Sequence, residues 1–325
     1  MPELRHDPVL DEWVIISPQR QNRTFLPPAE YCPLCPTRPG QAETEIPRED
    51  YEIAVFENLF PSLTRDAALL TPSGSHPSRP GRGVCEVVCY TPVHDTTLAD
   101  LPVRQIVRLI EVWKDRYAVL GARKEVKYVL IFENKGKEIG VTLTHPHGQI
   151  YAFPFIPPRP ARELRSAKIY REKNGRCLFC DIVADEMKIR SRIVVENGEF
   201  VGFIPSWAHW PYEVHLYPKR HEESIAPLSP KTIGLFADAL KRLLTGYDRL
   251  FGFSLPYIMI LHQAPTDGKA HPCCHFHVEF YPPYRTGKKL KYPAGCESGG
   301  WVFINDTIPE DRAAFMRKRV RQAEG

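Results

Sequence analysis

The feature that most constrains the fold of this chain is an internal repeat, because the same signals occur in the same order in both halves. Each half begins with a Cys-x-x-Cys pair, continues through strand-like segments to a histidine, and then shows a helical pattern, an apolar strand and a His-x-His. The landmarks are Cys32/Cys35, His94 and His145/His147 in the first half, and Cys177/Cys180, His221 and His275/His277 in the second. The shared order indicates that one unit has been duplicated.

Helix and strand patterns in both units predict an α+β fold with an antiparallel sheet. One helix is expected to begin near Pro102 and the other at Ser229-Pro230, because proline suits the first helical turn and serine caps it. Apolar strands follow at residues 128–132 and 257–261. Earlier in the units, the strand-like segments 51–56 and 192–195 take matching places.

The two units are expected to form two domains, residues 1–160 and 161–325. Residues 154–174 are rich first in proline and then in charge, which is typical of a linker. We therefore place the join between the units there.

Composition excludes several classes of protein. The 43 basic and 39 acidic residues give a net charge of +4 and are spread along the chain, so a polyanion-binding tail is not expected. No apolar run approaches the ~20 residues that cross a bilayer, and the first residues do not resemble a signal peptide. The expectation is a cytoplasmic protein without membrane or nucleic-acid partners, in which the nine cysteines stay reduced.

Two metal sites are predicted from the repeat. A Cys-x-x-Cys turn presents two thiolates to one ion, and zinc commonly completes a tetrahedron with histidines. The predicted ligand sets are Cys32, Cys35, His94 and His145 in the first unit, and Cys177, Cys180, His221 and His275 in the second. A redox pair or two buried thiols would produce the same spacing, but histidines in matching places favour metal. Neither set leaves an obvious open position, so both sites are interpreted as structural.

The chemical centre is predicted at His145-Pro146-His147-Gly148-Gln149. In an extended segment the two histidines project to the same face, so one can hold a metal while the other faces a substrate. A neutral imidazole attacks phosphorus well when its other ring nitrogen donates to a backbone carbonyl. The alternative is that both histidines are ligands or buried strand residues.

These residues resemble the active-site block of the galactose-1-phosphate uridylyltransferase family, a branch of the histidine-triad superfamily. The resemblance extends over nearly the whole chain. The segments that carry it are Phe132-Glu-Asn134-Lys135-Gly136, His145-Pro-His147-Gly-Gln149, Ser17-Pro-Gln-Arg20-Gln-Asn-Arg23, Val55-Phe-Glu-Asn58, Tyr90-Thr-Pro-Val-His94, Trp210-Pro-Tyr-Glu213, Pro218-Lys219-Arg220-His221 and Lys291-Tyr292-Pro-Ala-Gly295-Cys296-Glu297. The resemblance implies two tandem histidine-triad-like repeats, whose antiparallel sheet forms a half-barrel with helices packed outside.

The resemblance also implies the reaction. His147 would attack the α-phosphorus of UDP-glucose and release glucose 1-phosphate, and galactose 1-phosphate would then take up the uridylyl group from the histidine. Gln149 stands where related hydrolases carry a third histidine. A neutral amide only hydrogen-bonds the phosphoryl oxygens, and a sugar phosphate needs no acid to leave.

The family positions of further residues imply how the substrates bind. Phosphate contacts would come from Arg20, Arg23, Asn134 and Thr142, and a uridine contact from Asn58, beside which Leu59 stands in place of an acidic residue. Lys291, Tyr292 and Glu297 match a segment that reaches the active site of the partner subunit, which implies a homodimer. There Glu297 would accept hydrogen bonds from the hexose.

The second metal site has an alternative within the family. Known members bind a metal there through a glutamate and three histidines, for which Glu163, His262, His275 and His277 stand in matching places. The cysteine set is preferred because it follows the repeat. Zinc is expected at both sites, with iron or another divalent metal as the alternative at the second.

Two other functions compete with uridylyl transfer. An adenylyl-transferring phosphorylase that acts on ADP-glucose would share the nucleophile and two cysteine-bearing metal sites. A zinc-stabilised nucleic-acid-binding module is the more distant alternative, which the near-neutral charge and the absence of a basic stripe disfavour.

Overall fold

The structure of the protein is a computed structural model that describes residues 1–23, 25–40, 43–68 and 76–322. In the first half the strands are β1 (Glu3–Asp7), β2 (Glu12–Ile16), β3 (Ala54–Glu57), β4 (Ser78–Pro80), β5 (Val84–Cys89), β6 (Tyr128–Lys135) and β7 (His147–Phe153), with helix α1 (Val103–Gly121). The second half contains α2 (Pro158–Asn174), α3 (Leu178–Ile189), β8 (Ile193–Glu196), β9 (Phe200–Phe203), β10 (Val214–Pro218), α4 (Pro230–Asp248), β11 (Tyr257–His262), β12 (His277–Tyr281), β13 (Tyr284–Thr286), β14 (Lys289–Leu290), α5 (Gly295–Gly300) and α6 (Pro309–Arg321).

One nine-stranded antiparallel sheet runs through both halves in the order β3-β5-β7-β6-β11-β12-β10-β9-β8. The halves meet where β6 pairs with β11, and Phe132 lies opposite Ile260. Within their own units Phe132 is opposite Gln149 and Ile260 is opposite Glu279, so the two residues hold equivalent places. An approximate two-fold axis therefore passes through this pair. The sheet is open, and the predicted α+β class with an antiparallel sheet is confirmed.

One strand correspondence predicted from sequence is wrong. The segment 192–195 overlaps β8, which is the outermost strand of this sheet and, among the described residues, pairs with β9 alone. The position equivalent to β3 is instead held by β9, because β9 pairs with β10 as β3 pairs with β5. Short apolar segments look alike in sequence, and only the pairing separates them.

The two long helices begin where the sequence predicts. Pro102 caps α1, and at α4 the Ser229 hydroxyl accepts a hydrogen bond from the Thr232 amide at 3.2 Å. Both helices bury an apolar stripe that packs on one face of the sheet, and they also pack on each other. Trp113 and Phe236 are among the largest fully buried side chains in this layer. The opposite face of the sheet carries the polar side chains of the site.

The predicted linker is largely a helix. Pro158 opens α2, whose arginine, lysine, glutamate and alanine residues are good helix formers, and Gly175 ends it in a left-handed conformation with φ 72°. Charge in this segment thus reflects a solvated helix and not a disordered join. Arg159 also contacts the sheet, since its guanidinium pairs with Glu279 at 2.8 Å.

Two peripheral features complete the fold. A three-stranded sheet in the order β2-β1-β4 lies near the N-terminus. Within the described residues, every helix is too short or too polar to cross a membrane.

Candidate functional site

The first predicted ligand set comes together beside the sheet. Cys32 and Cys35 lie in a turn, His94 follows β5 and His145 precedes β7, and their ligand atoms all lie within 4.8 Å of one another. The Cys35 Sγ is 3.4 Å from His94 Nδ1 and 3.5 Å from His145 Nδ1. Two sulfur and two nitrogen donors form a set that suits tetrahedral zinc.

Hydrogen bonds orient both histidines of this cluster. His145 Nε2 donates to the Thr91 carbonyl at 2.9 Å, and His94 Nε2 is 3.1 Å from the Thr144 hydroxyl. Each ring therefore turns Nδ1 towards the cysteines. Burial lowers the pKa of His145 to about 4, which keeps it neutral, as a metal ligand must be. Burial and the Cys32 thiol raise the pKa of Cys35 to about 12, a shift that a bound cation reverses.

The second predicted set repeats this geometry. Cys177, Cys180, His221 and His275 lie within the same 4.8 Å limit. The Cys180 Sγ is 3.4 Å from His221 Nδ1 and 3.5 Å from His275 Nδ1, and His275 Nε2 lies 3.1 Å from the Pro218 carbonyl. Burial lowers the pKa of His275 to about 3. This set has the chemistry of the first and can hold the same kind of ion.

The alternative set for the second metal is brought together in part, because its four residues line one small cavity but the ligand atoms of only three of them gather in one group. His275 lies in the cysteine cluster, whereas Glu163, His262 and His277 gather with Glu279. His262 Nδ1 is 2.9 Å from Glu163, and its Nε2 is 3.1 Å from Glu279. The structure thus offers a third group that could hold a cation. Although burial alone would lower it, the two carboxylates raise the pKa of His262 to about 10.

Sequence reasoning missed Glu279 in this third group. The two-fold relation makes it the counterpart of Gln149, just as His277 is the counterpart of His147. The His277 Nδ1 even repeats the bond to a backbone carbonyl, at 2.8 Å from His275 O. Counting two residues on from each His-x-His would have found Glu279. Arg159 also pairs with Glu279, and this counterpart of the His147 site is buried, since His277 is only 2% exposed.

His147 stands at the start of β7 with one ring nitrogen engaged. Its Nδ1 donates to the His145 carbonyl at 2.7 Å, which fixes the tautomer and leaves Nε2 for the pocket. Burial lowers the pKa of His147 below 6.5, so the imidazole is neutral at physiological pH. A neutral imidazole with a free Nε2 has the form of a nucleophile.

The pocket at His147 contains most of the predicted substrate residues of the first half. Its lining consists of Arg20, Arg23, Pro33, Leu34, Glu45, Phe56, Asn58, Leu59, Phe60, Val87, Thr142, Leu143, His147 and Gln149. Arginines, amides and a threonine thus share the pocket with a mainly apolar wall. Sequence reasoning missed that wall, because Phe56 and Val87 become neighbours only when β3 pairs with β5.

Tyr151 links an arginine to the amide of Gln149. Arg20 Nη1 donates to the Tyr151 hydroxyl at 3.2 Å, and that hydroxyl donates to Gln149 Oε1 at 3.3 Å. With Oε1 engaged, the amide NH₂ of Gln149 is left to donate to an anion. Arg23 lies alongside, and burial and Arg20 lower its pKa, as expected for two cations that await an anion. Alternation along β7 would have identified Tyr151.

Of the two predicted asparagines, Asn58 lines the pocket and Asn134 does not. Asn134 follows Phe132 by two residues on β6 and projects to the same face, but it is not among the residues that line the pocket. Asn58 does line the pocket, and its Oδ1 accepts a hydrogen bond from the Phe60 amide at 2.9 Å. Its amide NH₂ is therefore available for a ligand.

Glycine is required between His147 and Gln149. A Cβ on Gly148 would collide with the Tyr90 hydroxyl and lie 3.1 Å from the Phe132 carbonyl oxygen. Only glycine allows β7 to lie this close to Tyr90.

The three predicted residues of the C-terminal segment lie apart from this pocket. Lys291 and Glu297 are buried and form an ion pair at 3.1 Å, while Tyr292 is 63% exposed. The Ala294 amide and the Lys291 ammonium lower the pKa of Glu297 to about 2. Within one chain these residues therefore organise their own segment.

Comparisons with known proteins agree with this geometry. Residues 1–157 match the family model described as galactose-1-phosphate uridyl transferase, N-terminal domain, and residues 163–290 match the model of its C-terminal domain. A galactose-1-phosphate uridylyltransferase of Thermotoga maritima is 42% identical, and the alignment covers 98% of each chain.

Solved structures show the same relationship. A uridylyltransferase structure superposes with a TM-score of 0.88 at 37% identity, over 98% of this chain and 99% of that one. An ADP-glucose phosphorylase from Arabidopsis thaliana, solved with bound ADP-glucose, is more distant, with a TM-score of 0.75 at 28% identity over 98% of each chain. With two family models and a full-length relative in agreement, this chain belongs to the galactose-1-phosphate uridylyltransferase family.

Proposed function

We propose that this chain exchanges UMP between UDP-glucose and galactose 1-phosphate through a covalent uridylyl-histidine at His147. Family membership makes the chain an enzyme, a UDP-glucose–hexose-1-phosphate uridylyltransferase. The proposal adds the covalent mechanism and the residues that carry out each step. The observation that carries it is a neutral His147 whose Nδ1 is engaged and which lines a pocket with two arginines and Gln149.

The first half-reaction forms one bond and breaks one. His147 Nε2 attacks the α-phosphorus, a P–N bond forms, and the P–O bond to glucose 1-phosphate breaks. The leaving oxygen belongs to a phosphate, which is a weak base and departs without a proton. Gln149 is a neutral amide and does not act as a general acid. In the second half-reaction a phosphate oxygen of galactose 1-phosphate attacks the same phosphorus and the P–N bond breaks.

The arginine end of the pocket stabilises the charge in both steps. Arg20 and Arg23 neutralise the phosphates, and the NH₂ group of Gln149 donates to a phosphoryl oxygen. Donors fixed before the reaction stabilise a developing charge without reorganisation, which is the main electrostatic contribution to catalysis. The Arg20–Tyr151–Gln149 chain supplies that fixation. Thr142 and Asn134 are assigned supporting phosphate contacts.

The two Cys/His clusters are assigned structural zinc ions. Cys32, Cys35, His94 and His145 would hold one ion, and Cys177, Cys180, His221 and His275 the other. Each ion would tie loops to the sheet, and the first would fix the backbone that carries His147. Iron or another divalent metal remains the alternative at the second half, where the third group offers carboxylates.

The C-terminal segment is assigned to the partner subunit's site in a homodimer. Lys291 and Glu297 do not reach the pocket of their own chain, and Tyr292 faces outwards. In this arrangement Glu297 would contact the hexose, and residues 1–160 and 161–325 would each form a domain.

Adenylyl transfer from ADP-glucose is the second candidate, because the Arabidopsis thaliana phosphorylase shares the fold over the full chain. This candidate is tested by incubating the protein separately with UDP-glucose and with ADP-glucose, each labelled in its nucleotidyl group. We expect label on the protein only from UDP-glucose, which agrees with the higher identity of the uridylyltransferases.

Replacement of the nucleophile tests the route. His147→Gly should abolish exchange and adduct formation while the fold and metal content stay intact, because His147 belongs to neither Cys/His cluster. The unaltered enzyme should form an acid-labile, base-stable adduct with UDP-glucose alone. His76→Gly, at an exposed histidine, is the control and should behave as the unaltered enzyme. Exchange by His147→Gly would disprove the covalent route.

A further inference from the structure

We propose that Glu45 is a nucleoside-binding residue of this pocket, whose carboxylate accepts a hydrogen bond from a donor of the uridine moiety. This inference rests on the proposed function, since it requires a uridine nucleotide in the pocket. Glu45 is partly exposed and lines the same pocket as His147.

Strand register gives the direction in which a nucleotide extends. Gln149 on β7 lies opposite Val87 on β5, and Val87 lies opposite Phe56 on β3. Strands are ~4.8 Å apart, so the wall runs about 10 Å from Gln149 to the sheet edge. With the α-phosphorus at His147, the attached nucleoside lies over Val87 and Phe56.

The far part of this wall is apolar and adjoins the Cys-x-x-Cys turn. Leu34, Phe56, Val87 and Leu143 belong to one apolar cluster, which suits the flat face of a base. Glu45 is attached to that turn, because its amide donates to the Pro33 carbonyl at 3.0 Å. The nucleoside end of the pocket therefore includes Glu45.

The backbone at Glu45 is held on both sides. The Thr44 hydroxyl donates to the Cys35 carbonyl at 2.6 Å, and Ile46 is buried in the same apolar cluster. A side chain on an anchored backbone loses less entropy when it binds a ligand. Glu45 is thus presented to the pocket by the first Cys/His cluster.

The Glu45 carboxylate has a selective role because its own chain leaves it unused. Among the described residues it has neither a hydrogen-bond partner nor an ion-pair partner, although Arg20 and Arg23 line the same pocket. A carboxylate only accepts hydrogen bonds, and it repels phosphate. It therefore complements the nucleoside, whose donors are the ribose hydroxyls and uracil N3–H.

Among the described residues that line the pocket, Glu45 supplies a carboxylate that its neighbours lack. Of the described residues around the pocket, Glu45 is the one carboxylate, and Leu59, beside Asn58, presents only apolar surface. A pocket with a single acceptor of this kind discriminates strongly against a ligand that lacks the matching donor.

Three variants and a set of analogues test the inference. Glu45→Ala should lower kcat/KM for UDP-glucose by about 10- to 100-fold and weaken UMP binding measured by calorimetry, as expected for loss of a charged hydrogen bond. The kcat/KM for galactose 1-phosphate, which depends only on the second half-reaction, should change much less. Glu45→Gln should recover part of the loss, because its amide oxygen still accepts. Glu43→Gln is the matched control, because it removes one negative charge from an exposed residue of the same loop.

Analogues identify the donor. The 2′-deoxy, 3′-deoxy and N3-methyl forms of UDP-glucose each lack one donor. The unaltered enzyme should discriminate against one of them, and Glu45→Ala should lose that discrimination.

The outcomes separate the two proposals. If Glu45→Ala forms the uridylyl enzyme, binds UMP and discriminates among the analogues within about twofold of the unaltered enzyme, the role of Glu45 is overturned while the proposed function stands. If the unaltered enzyme forms no uridylyl adduct with UDP-glucose, both proposals fail.

Discussion

The Nδ1–H of His147 donates to the backbone carbonyl of His145 at 2.7 Å, while the ring of His145 turns its own Nδ1 towards Cys35 at 3.5 Å. One residue thus faces the first Cys/His cluster with its side chain and holds the His147 ring with its backbone. Any ion in that cluster would orient the imidazole of His147 without touching a ligand in the pocket.

The pH dependence of the first half-reaction should reflect the environment of His147. Attack requires neutral imidazole, and burial lowers the pKa of His147. The midpoint of the decline of kcat/KM for UDP-glucose towards acid pH should therefore lie below 6.5. Metal content measured at each pH is the control, because acid also releases histidine ligands. A decline centred above 6.5 would show that another group titrates.

Loss of the second Cys/His cluster should remove one ion from each chain. Cys177→Ser combined with Cys180→Ser leaves only His221 and His275, so elemental analysis should show one ion fewer and the Tm should fall by several degrees. Cys296→Ser changes an exposed cysteine outside every cluster and should alter neither quantity. If the double variant keeps all its metal, the third group, with Glu163 and His262, is the better candidate for that ion.

Gly148 offers a test of packing beneath the reaction centre. Gly148→Ala should lower the free energy of unfolding by about 1–3 kcal/mol, because the added methyl group collides with Tyr90. It should also slow exchange, since His147 and Gln149 flank the displaced backbone. Gly234→Ala, in α4 with open space at its Cβ, should instead stabilise the protein by up to ~1 kcal/mol. Equal stabilities of the two variants in urea would contradict this account.

The assignment of the C-terminal segment to the partner subunit predicts complementation. Mixing inactive His147→Gly and Glu297→Ala chains should restore one complete site in each mixed dimer, up to a fraction of the normal activity. Glu297 also accepts hydrogen bonds from Lys291 and the Ala294 amide. Glu297→Gln, which keeps the length of the side chain and one of its two acceptor oxygens, is therefore the second variant. If mixed dimers form by size and mass but stay inactive with both variants, the segment does not complete the partner's site.

Local patterns in the sequence predicted what depends on local chemistry. Pro102 and Ser229 marked the starts of the long helices because capping involves only neighbouring residues. The repeat predicted which cysteines and histidines gather, because the same turn and strand ends recur in both halves.

Features that depend on pairing across the sheet could not be predicted in this way. Phe56 lines the same pocket as His147 only because strands β3, β5 and β7 lie side by side, and Glu45 lines it only because its backbone bonds to the Cys-x-x-Cys turn. The helix at 158–174 was missed because proline and charge are compatible with both a linker and the start of a helix.

The pairing of β6 with β11 has a consequence for any attempt to divide the chain. Cutting between the units would strip β6 of its neighbour along residues 131–135 and leave a row of unsatisfied amide and carbonyl groups in the middle of what had been a continuous sheet. Such an edge invites pairing with other molecules, so a separated half would be prone to aggregate even though it carries its own histidines and cysteines. A single unit of this kind would have to cover or pair that edge, and a second copy of itself would offer the matching strand.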